Sequence, residues 1–318
     1  MATIKDIAEK AGVSMMTVSR AFNNPKIVKD EVRVKILAIA KELNYLPNQA
    51  ARSLASKKSG MIQIITRMNP DDFYFTQLFT GAAHYLSDHG YSMMISKDKT
   101  REYQYDGAIF MGLLAGEDQV IYHTIKKPYV LLGKTDLPID WVDIDNTDGS
   151  YKMTKYLIDS GHKKIGLIGI NHDEAFTQER YLGYVKAMTA AGLTIPKEAV
   201  FRVPHSIEGG RRISPIALAK KDITAYVCES DLLAYVLIDY AKEQGMSIPD
   251  QLSVVGFDGF LFNKMSIPHI TTVKQPVYRV GVEIARVLVN RINEHDRPKQ
   301  RVLIKTEFEN GGSVKVIN

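Results

Sequence analysis

The first sixty residues alternate apolar and polar positions with a helical period. Ile4, Ile7, Ala8 and Ala11 form the i, i+3, i+4, i+7 stripe of a short amphipathic helix, with Thr3 in the N-cap position and Gly12 as its stop. Ser14 opens a second helix, in which Val18, Ala21 and Phe22 share the inner face. Met15, Met16, Ser19 and Arg20 then point away from the core. Two short helices joined by a glycine-containing turn predict a helix-turn-helix, whose second helix enters a DNA major groove. A third helix follows on Val32, Ile36, Ile39, Ala40 and Leu43, with Asp30 and Glu31 at its positive end, and it stops before Pro47.

From residue 61 the pattern changes. Short apolar runs alternate with amphipathic helices. The strand candidates are Met61–Ile65, Ser92–Ile95, Gly107–Phe110, Tyr129–Leu132, Trp141–Ile144, Lys164–Ile168, Ala225–Cys228 and Leu252–Gly256. Helices are expected over Phe75–Gly90, Gly149–Ser160, Thr177–Ala191, Asp231–Gln244 and Val277–Glu294, among others. This alternation predicts parallel sheets with helices on both faces. The link between the second and third strands, residues 96–106, is shorter than a helical crossover normally requires. Either a very short connection or a local rearrangement of the half-sheet is expected there.

Charge sharpens the division. Residues 1–60 hold eleven Lys or Arg against five Asp or Glu, a net of +6 in a chain whose total is +5. The positive charge therefore lies in the helical head, where phosphates would be. At 318 residues, 45% hydrophobic and 24% charged, the composition is that of an ordinary globular protein of more than one domain. No apolar run reaches about twenty residues, so no membrane span is expected. The polar start of the chain and its single cysteine, Cys228, point to a cytoplasmic protein without an internal disulfide. The eight histidines lack metal-ligand spacing, no serine or cysteine sits in a nucleophile context, and no cofactor or catalytic residue is expected. Gly161-His-Lys-Lys-Ile-Gly166 lacks the Lys-Ser/Thr end of a phosphate loop.

The segments Thr3-Ile-Lys-Asp-Ile-Ala, Ala11-Gly-Val-Ser, Thr17-Val-Ser-Arg20, Leu43-Asn-Tyr-Leu-Pro-Asn48 and Ala51-Arg-Ser-Leu-Ala55 together resemble the lactose-repressor (LacI/GalR) family. Mid-chain, Asp145-Asn146, Gly161-His162, Arg180, Gly183-Tyr184, Val254–Asp258 and Thr271–Pro276 extend the resemblance over nearly the whole chain. It implies an all-α helix-turn-helix head (residues 1–46) and a hinge helix and linker (47–60). A periplasmic-binding-protein-like α/β sensor of two parallel-sheet subdomains (61–318) would bind the effector and dimerise.

The implied function is a homodimeric, effector-controlled repressor of a carbohydrate operon, binding pseudo-palindromic double-stranded operator DNA. DNA contacts would fall on Thr3, Lys5, Ser14, Met15, Met16, Thr17, Ser19, Arg20, Asn23, Asn48, Ala51, Leu54 and Ala55. Arg20 suits a guanine edge and the methionines suit thymine methyls, while Lys5, Lys10, Lys26 and Lys29 suit phosphates. The hinge is too short to be a stable helix alone. The resemblance implies that it folds on DNA and drives Leu54 into the minor groove as a wedge.

A sugar-like effector would sit where strand carboxyl ends face a cleft. The residues implied are Asp72, Phe73, Tyr74, Asp145, Arg180, His205, Ser230, Asp231, Asp258 and Gln275. Four positions depart from the family. Lys29 and Val32 replace Ser and Thr, leaving the third helix without a good N-cap; Ser230 replaces Asn, and His205 replaces an aromatic. A second reading is a catabolite-control protein that takes a phosphocarrier protein as corepressor. The hinge run Ala51–Lys58 suits that subgroup, but Ile267 stands where its basic contact before Pro268 is expected. Readings from other classes are a sugar-binding protein, which would lack the head, and a sugar-processing enzyme, which would need a general acid/base pair.

Overall fold

The computed structural model describes residues 2–23, 27–45, 58–68, 72–97, 104–172 and 174–317. Residues 1–59 form one compact unit and residues 60–318 another.

The first unit is three helices: α1 (Ile4–Ala11), α2 (Met15–Asn23) and α3 (Asp30–Glu42). The start of α1 is a capping box. Thr3 Oγ1 accepts from the Asp6 amide, and the Asp6 carboxylate accepts from the Thr3 amide at 2.8 Å. Gly12 ends α1 in the left-handed region at φ 70°, which a Cβ would strain. Ser14 Oγ accepts from the Thr17 amide at 3.1 Å and so caps α2. Among the described residues no side chain caps α3, as the Lys29 departure implied. Ile7, Ala8, Ala11, Val18, Ala21, Ile36, Ile39 and Ala40 close the core, with Phe22 against Tyr45 at its edge.

The second unit holds two parallel sheets. Strands β1 (Met61–Thr66), β2 (Ser92–Ser96), β3 (Gly107–Met111), β4 (Tyr129–Leu132) and β5 (Asp140–Ile144) belong to the first. Helices α4 (Phe73–Asp88) and α5 (Glu117–Thr124) lie between them in sequence. Helix α6 (Asn146–Asp159) then leads into the second sheet. There β6 (Ile165–Ile170), β7 (Val200–Val203), β8 (Ala225–Cys228) and β9 (Ser253–Val255) alternate with α7 (Ala175–Ala190), α8 (Ile207–Leu218) and α9 (Asp231–Glu243). After the short α10 (Leu261–Met265) and β10 (Thr272–Lys274), α11 (Val277–Asn293) returns to the first sheet. There β11 (Arg301–Ile304) adds a sixth strand, and β12 (Glu307–Glu309) pairs antiparallel with β10.

The first sheet runs in the order β11-β5-β4-β3-β1-β2 and the second β7-β6-β8-β9, every pairing parallel. The two subdomains are thus interleaved in sequence. Strands β7, β10, β11 and β12 were not among the sequence candidates.

The short link between β2 and β3 does not rearrange the half-sheet. Both strands stay parallel to β1, one on each side of it. The gap is three residue steps along the strand and two strand spacings across, roughly 14 Å, and ten extended residues reach about 33 Å. Residues 98–103 lie outside the described residues.

Apolar burial fixes the layers. Helices α4 and α11 pack on one face of the first sheet, around Ile62, Ile64, Leu78, Ile109, Val280, Ile284 and Leu288. Their backbones approach through paired glycines: a Cβ on Gly81 would lie 2.1 Å from the Tyr278 carbonyl oxygen, and one on Gly281 2.0 Å from that of Leu78. In the second subdomain Tyr184 and Tyr226 are fully buried, and each hydroxyl donates to a carbonyl, of Ile165 and Ala217 respectively. Cys228 is a free, buried thiol held well above its usual pKa by desolvation.

Candidate functional site

Two groups of residues carry the candidate chemistry, one in each unit. In the head, α2 turns Val18 and Ala21 into the core and leaves Met15 56% and Met16 62% exposed, a cost that a helix in solvent alone does not explain. Arg20 lies on the same exposed side. Thr17 is half-buried beside Ser14, the hydroxyls 2.9 Å apart, and Ser19 is half-buried. The Thr3 hydroxyl serves the capping box. Lys5 is exposed, 3.9 Å from Glu9, and its ammonium remains open to solvent. Asn23 is the last residue of α2. Asn48, Ala51, Leu54 and Ala55 lie outside the described residues, as does Lys26.

In the second unit, the carboxyl ends of β1, β5, β6, β7, β8 and β9 all contribute to one cleft. Arg180, in the second turn of α7, is its centre. Its guanidinium lies 3.7 Å from the Phe257 ring centroid and 4.9 Å from that of Phe176, and the side chain is only 6% exposed. Nε donates to Asn146 Oδ1 at 3.1 Å, and Nη1 donates to the Glu229 carbonyl. Asp258 Oδ1 stands 3.5 Å from Nη1 and accepts from Gln275 Nε2 at 2.6 Å. Asp258 holds φ at 134°, where an L-residue is strained, which aims its carboxylate back at Arg180. Burial pushes the Asp258 carboxyl up, and Arg180 and Gln275 oppose this.

Asp231 and Ser230 lie behind this wall. The Asp231 carboxylate accepts from the Thr272 hydroxyl (2.7 Å) and from the amides of Gly259 (2.7 Å) and Phe260 (3.4 Å). It therefore pins the loop that carries Asp258. Burial, then the neighbouring Asp258, raise its pKa. Ser230 is fully buried and caps α9 by accepting from the Leu233 amide. Asp145 similarly caps α6, accepting from Asp148 at 3.0 Å, and Asp72 caps α4, accepting from Tyr74 at 2.8 Å.

The opposite lip is aromatic. Phe73, 48% exposed, packs on Phe260 with ring centroids 5.1 Å apart, and Tyr74 meets the same ring at 6.4 Å. Burial raises the Tyr74 phenol, with Asp143, Arg180 and Asp258 all near enough to act on it. His205 follows the end of β7; desolvation by its surroundings and then Arg180 hold its imidazole below the usual value. Of the residues expected from the sequence as effector contacts, the structure brings Asp72, Phe73, Tyr74, Arg180, His205, Asp258 and Gln275 around one space, while Ser230, Asp231 and Asp145 cap helices or pin a loop behind it.

Four further groups of the cleft were not among the site residues expected from the sequence. Asp143, near the end of β5, is pushed up to about 7 by burial and by Glu179. Asn146 orients Arg180 and donates to Glu179 at 3.2 Å, and Glu179 pairs with Lys134 across the two subdomains at 2.9 Å. Glu229 is buried, accepts from the Ile170 amide at 2.9 Å and stands 3.3 Å from Arg202, while its Oε1 has no partner among the described residues. The legible signal was an acid inside an apolar strand, Trp141-Val-Asp-Ile144, and another directly after one, Cys228-Glu229.

Among the described residues no cluster could hold a metal ion, and no helix is long and apolar enough to cross a membrane.

Sequence comparison decides the family. The HTH-type transcriptional regulator YvdE of Bacillus subtilis (strain 168) is 33% identical over 312 residues, 97% of this chain and 98% of its own. The family model of bacterial regulatory proteins, lacI family, matches residues 3–48. The chain belongs to the LacI family. As a member it is a DNA-binding transcriptional regulator; the relatives are regulators, not enzymes. A periplasmic binding protein-like domain model matches residues 154–314. The probable HTH-type transcriptional repressor ExuR of the same organism is 32% identical, covering 99% of both chains. The lac repressor dimer bound to operator and the anti-inducer ONPF superposes with a TM-score of 0.84 over 99% of both chains at 23% identity, a likeness of fold. The transcriptional regulator CelR–cellobiose complex gives 0.73 at 25% identity, covering 98% of this chain and 100% of that one. This LacI-family fold is the one expected from the sequence: a helical head followed by two parallel-sheet subdomains.

Proposed function

We propose that this LacI-family regulator is a cytoplasmic homodimeric repressor that reads a pseudo-palindromic operator through α2 and releases or grips it according to a sugar-like effector in the cleft. The head is residues 1–46, the hinge 47–60 and the sensor 61–318. Lys5 and the helix N-termini hold phosphates, while Arg20 and the two methionines read base edges. CelR, similar in fold and sequence, is known with cellobiose, which supports a carbohydrate ligand class.

One observation carries the effector reading. Arg180 is held between two rings with Nε and Nη1 engaged, and Nη2 makes no hydrogen bond among the described residues. A fixed donor beside a fixed carboxylate, Asp258, facing the aromatic pair Phe73 and Tyr74, suits vicinal hydroxyls on one side and an apolar sugar face on the other. The effector favours one arrangement of the two subdomains and so biases the hinge, and the coupling is reciprocal.

The test is operator binding titrated with a panel of sugars. Arg180→Ala should keep operator affinity within a few-fold of the parent and lose the response to the active sugar, because a ligand without differential affinity shifts nothing. A normal response in that variant would move the effector out of this cleft. Turnover of any sugar would revive the enzyme reading.

A further inference from the structure

At the opposite end of the first sheet from the cleft, the amino-terminal ends of β4, β5 and β11 surround a cavity of about 250 Å³. Its apolar wall is Pro128, Tyr129, Pro138 and Ile139. Its base is an ion pair whose guanidinium has no spare donor. Arg291, 4% exposed, donates to both Asp140 carboxylate oxygens, at 2.6 and 3.1 Å, and to the carbonyls of His295, Arg297 and Pro298. All five guanidinium donors are used, and Asp140 also accepts from the Gln300 amide.

The remaining charge lining the cavity is positive. Lys126, Lys127 and Lys299 line it, and none forms an ion pair with a described residue. Among the described residues, Lys126 donates only to the His123 carbonyl, and Lys127 only to that of Tyr105 while lying over its ring. Each ammonium thus retains donors. Arg297, two residues before Lys299, has Nε and Nη2 buried without partners among the described residues. Glu294 and Asp296 adjoin in sequence, but neither pairs with these lysines. Burial first, then Arg291 and Arg297, hold the Lys299 ammonium below its usual pKa against the opposing pull of Asp140, so a further anion in the cavity would be stabilised.

We propose that this cavity binds the phosphoryl group of a small phosphorylated metabolite, with Lys126, Lys127 and Lys299 as donors and Tyr129 beside the carbon skeleton. Lysines serve phosphate as point charges without demanding bidentate geometry. The volume lies just under the range of about 300–1,000 Å³ typical of drug-sized ligands. It therefore suits a triose or hexose phosphate rather than an oligosaccharide or nucleotide. The site is separate from the cleft and stands whether or not the effector reading does.

The experiment uses the full-length chain, with thermal shift and calorimetry against inorganic phosphate, glucose 6-phosphate and unphosphorylated glucose. Both phosphate probes should raise the melting temperature saturably. Lys126→Gln and Lys299→Gln should each weaken them roughly tenfold, the loss of one charged hydrogen bond, with melting temperatures close to the parent's when no ligand is present. Arg180→Ala should leave phosphate binding intact. Absence of binding, or binding indifferent to both lysine changes, overturns the proposal. Loss in Arg180→Ala would assign the phosphates to the cleft. Affinity for random-sequence duplex DNA that falls in the lysine variants, with small phosphates failing to bind, would assign the patch to a nucleic-acid backbone and equally overturn it.

Discussion

Asp143 shows how one carboxyl in the cleft couples the sensor to pH. Burial first, and Glu179 second, lift it to about 7 from an unfolded value near 3.9. Between those values the folded chain keeps a proton that the unfolded chain has lost. The group's contribution to stability is therefore complete below about pH 4 and is lost as pH rises through about 7. Asp143→Asn removes the titration, so its melting temperature relative to the parent should climb from pH 5 to pH 8. Parallel pH profiles would take Asp143 out of that role. In the head, Arg20→Ala should relax base choice by about 1–3 kcal/mol of discrimination. Lys5→Ala should weaken specific and random duplexes alike. Equal losses on both duplexes for Arg20→Ala would make that arginine a phosphate contact. Arg180 and Asp258 were legible because their neighbourhoods resemble the family. That Ser230, Asp145 and Asp72 act as helix caps was not, because an N-cap and a ligand contact call for the same residue types at strand-to-helix turns.

At the scale of elements, the packing of α4 on α11 is closely constrained. Gly81 and Gly281 each face a backbone carbonyl of the partner helix, so the helices approach closer than any side chain permits. Gly81→Ala gains helix propensity but must open this seam, for a net loss of about 1–3 kcal/mol. Thermal unfolding should show a drop of several degrees; an unchanged melting temperature would mean the seam relaxes freely. Three of the four strands that escaped the sequence reading share one physical reason. Strands β7 and β11 are edge strands, and β12 lies in a two-stranded pair. They are therefore only partly buried and carry Arg202, Arg301 and Glu307, without the apolar run that marks β3 or β6. The central strands, buried on both faces, were legible to within one or two residues. The β2–β3 link was legible as an anomaly, but its outcome depends on the pairing of both strands with β1, which is not local.

For the molecule as a whole, the sequence divided cleanly at residue 60 because two patterns meet there. One is a basic helical head with its own small core; the other is a near-neutral α/β sensor. The central claim is that the head binds a defined DNA sequence through phosphates and base edges. The direct measurement selects duplexes from a random pool with the full-length chain. Affinity for the best site is then compared with that for a scrambled duplex, at about 50 and 200 mM salt. Preference for the selected site should be about 10³-fold or more. Affinity should fall by about 10³–10⁵ between the two salts if six to ten phosphates are contacted. Equal affinity for both duplexes, or an affinity indifferent to salt, would contradict the account.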